Sequence, residues 1–187
     1  MNEPIAIIMG YGVPPNILND ANYRHYLATA LYSVILPKNI RRIILCGGRT
    51  NIHYPEKTEA NEMRRLLRQL LPETAPALTC DLVADSITGW ENFEGAAVAV
   101  RKHSATEVYI LCEKTRAAKI WLTAKLTLPP NTHIKVIGID FDSTRTWERD
   151  WKQYLGVLVV AAEFILPGLR RVTRRRQLRH IQAVSQK

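Results

Sequence analysis

Residues 41–71, RRIILCGGRTNIHYPEKTEANEMRRLLRQLL, decide the fold. Ile43, Ile44 and Leu45 form an apolar, β-branched run suited to a strand covered on both faces. Cys46 closes that run, and Gly47-Gly48 turns the backbone where a side chain could not follow. A polar loop with Arg49, Thr50, Asn51, His53 and Tyr54 comes next. Met63, Leu66, Leu67 and Leu70 then recur at helical spacing, which predicts a helix starting near 55–58. Strand, glycine turn and helix make half of a βαβ unit. Ligands of open α/β sheets sit outside the carboxyl ends of such strands.

The same grammar repeats in both directions. Ile5 to Met9 reads as a strand running into Gly10-Tyr11-Gly12. Residues 19–36 read as a helix capped by Asn19 or Asp20. Residues 79–84 form a shorter strand, followed by a helix over 89–103. Residues 107–112 and 133–139 are strands, with helices over the stretches to 126 and from 146 to 166. This alternation predicts a three-layer, Rossmann-like α/β fold. Its sheet has about five mostly parallel strands, and helices cover both faces.

At 187 residues, with 47% hydrophobic and 23% charged residues, the chain has the composition of one globular domain. Cys46, Cys80 and Cys112 are too few for a disulfide framework and read as reduced thiols. The opening MNEPIAIIMG has no basic n-region, and its apolar run falls short of the roughly 7–15 residues of a secretory leader. No window reaches the roughly 20 apolar residues of a membrane span. These features predict a cytoplasmic protein, peripheral at the inner face of the membrane if its tail binds lipid.

The net charge of +9 is uneven. Seven of the 26 lysines and arginines lie in residues 169–187, with no acid among them. We therefore divide the chain into a body, 1–168, and a basic tail, 169–187. The tail reads as a solvated extension or a short helix, and its arginines suit anionic lipid or nucleic acid phosphates. Residues 154–166, YLGVLVVAAEFIL, are apolar nearly all round. That predicts burial in the core or in a homo-oligomer interface.

The strand ends bring candidate groups together. Gly10, Gly12, Gly47 and Gly48 offer backbone to an anion, and Arg49 and Arg116 offer charge. Thr58 and Asn92 could orient a ligand. Glu59, Glu62 and Glu113 could act as general base or divalent-metal ligand, or pair with the arginines. Thr88 and Glu91 have the spacing of a capping box, so Glu91 has a structural use too. Glu62 and Arg65, at i and i+3, also suit a surface ion pair. No Walker loop, G-x-S-x-G or metal motif occurs.

Gly47-Gly48, then Thr58-Glu59-Ala60-Asn61-Glu62-Met63, then Thr88-Gly89-Trp90-Glu91-Asn92, in this order, resemble the YdcF-like domain of the SanA/ElyC group over residues 5–139. The resemblance implies a Rossmann-like fold and a place in bacterial envelope or peptidoglycan-precursor metabolism. It also implies S-adenosylmethionine as a possible cofactor, and Gly47, Gly48, Thr58, Glu59, Glu62, Thr88, Glu91 and Asn92 as site residues. Family members carry a His and an Arg after the fourth strand. Here CEKTRAA supplies Arg116 and no His.

Together these readings predict a phosphorylated or nucleotide-like ligand, bound at the strand ends by a hydrolase or transferase. The alternative is a non-catalytic sensing or interaction module, recruited by its basic tail.

Overall fold

The computed structural model describes residues 3–11, 16–49, 56–141 and 147–185. Five parallel strands form one sheet in the order β3-β2-β1-β4-β5. They are β1 (Ile5–Met9), β2 (Arg42–Cys46), β3 (Thr79–Val83), β4 (Glu107–Glu113) and β5 (His133–Ile139). The fold is thus the predicted Rossmann-like α/β arrangement. The central strands are buried on both faces, as their unbroken apolar runs require.

The pleat sorts their side chains. Ala6, Ile8, Ile43, Leu45 and Leu111 face one layer, made by α1 (Ala21–Ala30) and α2 (Glu59–Leu70). Ile7, Met9, Ile44, Ile110 and Cys112 face the other, made by α3 (Gly89–Lys102) and α4 (Ala117–Thr127). Each fully buried large side chain contributes about 1.5–3 kcal/mol, so this double-sided core holds the strand ends in register.

Local chemistry sets the helix starts. Asp20 caps α1 by accepting the Tyr23 N–H. Thr58 caps α2 by accepting the Asn61 N–H. Thr88 and Glu91 form the predicted capping box of α3. The helix expected over 19–36 continues beyond α1 as a π turn, Leu31–Ile35, before β2.

The carboxyl end departs from expectation. Residues 154–166 fall in α5 (Trp147–Ile165), which packs on α4 along one stripe. Val160 and Glu163 are buried, whereas Leu158 is 66% and Ile165 73% exposed. The core reading of this segment therefore gives way to a surface helix, because its contacts with α4, Trp90 and the segment that follows it leave one side uncovered. The basic tail is helical as well: α6 (Gly168–Ser185) docks back onto α3. Among the described residues, no helix is long and apolar enough to cross a membrane.

Candidate functional site

The strand order reverses between β1 and β4, both of which end in residues with a special position. Gly10 follows β1, and Glu113 closes β4. Open α/β sheets bind ligands at this switch point. A cleft of about 270 Å³ opens there. Gly10, Gly47 and Gly48 line it, with Glu59, Glu113 and Arg116 beside them. Thr88 and Asn92 line its α3 wall.

Glu59 stands at the first position of α2 and is 3% exposed. Its carboxylate accepts the Tyr23 hydroxyl and, at 2.9 Å, the Tyr11 N–H. It lies against Gly10 and Gly47, and a Cβ at Gly47 would stand 2.8 Å from the Glu59 Cβ. Two glycines that read as anion-binding turns thus make room for a carboxylate of the chain itself. The N–H groups of Glu59 and Ala60 donate to the Gly48 and Gly47 carbonyls at 2.9 Å each. The start of α2 is therefore engaged with strand-end carbonyls.

Tyr11, Tyr23, Tyr26 and Phe141 cluster behind this carboxylate. The Tyr26 hydroxyl lies 2.9 Å from both the Met9 and the Leu111 carbonyl oxygens, tying β1 to β4. Burial holds its phenol well above the usual value.

Two cations line the cleft from the opposite side. Arg116 donates to the Gly10 carbonyl at 2.8 Å. Lys119, one helical turn on, donates to Gln153 of α5 at 3.1 Å. Gly156 lets α5 close over it, since a Cβ there would come 2.9 Å from the Lys119 Cδ. Burial lowers Lys119 to about 8; Arg116 adds to that shift, while Glu113 and Glu163 oppose it. Glu113, 4% exposed, accepts the Thr115 N–H at 3.0 Å and the Thr115 hydroxyl at 2.5 Å.

Asn92 accepts the Ser86 hydroxyl at 2.5 Å, so both polar groups are fixed at the cleft wall. Glu91 instead points back over the helix start, accepting the Ile87 and Thr88 N–H groups at 2.6 and 3.1 Å. Its other oxygen accepts Arg174 of α6 at 2.5 Å. Burial raises the Glu91 carboxyl, but the Ile87, Arg174 and Thr88 hydrogen bonds outweigh it and hold it below its ordinary value.

No family model, curated protein or solved structure matches the chain. The site therefore rests on its own geometry.

Gly10, Gly47, Gly48, Glu59, Thr88, Asn92, Glu113 and Arg116 of the predicted set converge on this cleft. Thr58 serves as a cap, and Glu62 pairs with Arg65 at 3.0 Å away from the lining. Arg49 is exposed and does not line the cleft. Gly12 lies outside the described residues, as do Thr50, Asn51, His53 and Tyr54. Among the described residues, no group of three or more His, Cys, Asp or Glu side chains could hold a metal ion.

Sequence reading missed Lys119, Tyr23, Gln153 and Gln177. Lys119 was within reach of it, because i and i+3 from Arg116 is one helix face. Gln153 and Gln177 reach the cleft only through the folding back of α5 and α6, which no local pattern encodes.

Proposed function

We propose that the chain binds a phosphorylated or nucleotide-like small molecule in the switch-point cleft and acts on it as a hydrolase or transferase. The observation that carries this reading is the pair Arg116 and Lys119, one turn apart, facing strand-end glycines and two buried carboxylates. The cations, with the start of α3, would hold the anion. Lys119, titrating at about 8, suits proton donation to a leaving group. Glu59, oriented by Tyr23, would be the base.

The YdcF-like resemblance and a role in envelope metabolism belong to the same proposal. Support comes from its three motifs, which are far apart in sequence and supply Gly47, Gly48, Glu59, Thr88 and Asn92 to one cleft. One observation favours a second reading, a sensor without turnover: Glu59 and Glu113 already accept hydrogen bonds from the protein.

Thermal shift and calorimetry with nucleotides, sugar nucleotides, pyrophosphate and S-adenosylmethionine test the ligand. A compound at 100 times its dissociation constant adds about 2.7 kcal/mol of stability. We expect a phosphate compound to shift the wild type and not Lys119→Met or Arg116→Gln. Equal shifts in all three would remove the anion site. With that ligand in hand, Glu59→Gln should bind it and lose turnover. Binding with no turnover in either protein would leave the sensor.

A further inference from the structure

The outer side of the carboxyl-terminal hairpin is unlike the rest of the surface. Among the described residues, ten of the 13 exposed large apolar side chains lie between Trp151 and Val172. Five of the seven on α5, Trp151, Tyr154, Leu155, Leu158 and Ile165, share one face at helical spacing. The opposite face, with Gln153, Val160 and Glu163, is turned to the cleft and its apolar neighbouring lobe. Monomeric proteins rarely leave so continuous an apolar face in water.

The adjoining helix is complementary in character. Thr173, Arg170 and Arg174 of α6 face the body: Thr173 bonds Glu163, Arg170 stacks on Trp90 at 3.6 Å, and Arg174 pairs with Glu91. On the other side, Arg171, Arg175, Arg176 and Arg179 are exposed together with Val172. No acid follows Glu163 in the sequence.

We propose that the outward faces of α5 and α6 form a docking surface for an anionic lipid bilayer. The aliphatic and aromatic stripe of α5 would lie at the level of the headgroups, with Trp151 and Tyr154 where amphipathic rings settle. The arginines of α6 would meet the anionic headgroups. A second copy of the chain fits less well, because pairing these faces brings two arginine helices together. A nucleic acid would leave Leu155, Leu158 and Ile165 without use. The surface is separate from the cleft, so docking and ligand binding can fail independently.

Flotation of the full chain with vesicles tests this. Phosphatidylcholine vesicles should leave it in solution, and mixed phosphatidylcholine–phosphatidylglycerol vesicles should carry it up, less so as salt rises. The combined variant Arg171→Gln, Arg175→Gln, Arg179→Gln should bind roughly 100-fold more weakly, about fivefold per arginine. Leu158→Glu with Ile165→Glu should abolish flotation while circular dichroism stays unchanged, since all these side chains are exposed. Four results would overturn the proposal. They are no flotation with mixed vesicles, equal flotation with neutral ones, or flotation that survives the glutamates. The fourth is a dimer in sedimentation, or an oligonucleotide complex, formed by a chain that ignores vesicles.

Discussion

Lys119 sits in an environment at odds with its chemistry. A lysine ordinarily titrates at 10.5, and burial beneath α5 brings it to about 8. The unfolded chain therefore holds this proton more tightly than the folded one. The cost to stability is fully present below about pH 8, shrinks as pH rises towards 10.5, and is absent above that. Lys119→Met should raise stability near pH 7 by on the order of 1–3 kcal/mol, and denaturant titrations should show that gain closing as the solution is made alkaline. A gain that is the same at every pH would mean that the charge of Lys119 is not what the fold resists. The cysteines show the same effect of burial with the opposite sign: Cys112 is pushed up to about 12, so it stays a thiol. Reading Cys46 and Cys112 as inert core residues needed only their place at the ends of apolar runs. Reading Lys119 needed α5, which is far off in sequence.

Individual elements vary in how much of them local pattern reveals. The central strands were legible because a run buried on both faces has no polar interruption. The start of α3 was legible because a capping box is a contact between near neighbours. The outward face of α5 was not: a segment apolar on all sides carries no mark of which side docks. Glu91 ties α3 to α6 through Arg174. Its carboxyl titrates below the ordinary 4.5, so the stabilisation it gives is present above that value and is lost as pH falls through the folded one. Protection of the α6 amides, taken relative to the intrinsic exchange rate at each pH, should fall on acidification from about pH 5 to 3. Glu91→Gln should show the lower protection already at neutral pH, with little further change in acid. If α6 protection is the same throughout, the pair with Arg174 does not hold it.

The molecule as a whole is more unified than its charge distribution suggests. Composition divides a near-neutral body from a basic tail at residue 169, but contacts do not. Trp90 donates to Glu163 at 2.6 Å, Thr173 donates to the same carboxylate, and Arg170 covers the Trp90 ring. Ending the chain after Pro167 would strip a 4%-exposed carboxylate of one donor and uncover a buried tryptophan. We expect a loss of about 1–3 kcal/mol in denaturant unfolding, and a red shift of Trp90 emission. A solvated appendage would change neither. Charge bookkeeping located the arginines and missed the attachment, because ion pairs with Glu91 and Glu94 join residues some 80 positions apart.

Strand order also bears on synthesis. β1 is made first, yet it lies in the middle of the sheet, and one of its two neighbours is β4. A nascent chain that has completed β3 has one flank of β1 built and the other bare, with Ile5, Ile7 and Met9 uncovered on the side where α3 and α4 will lie. The glycine-floored half of the cleft is thus in place before the half that carries the cations. During that interval the growing polypeptide presents an apolar sheet edge until β4 is made, and an apolar face until α3 and α4 both pack on it.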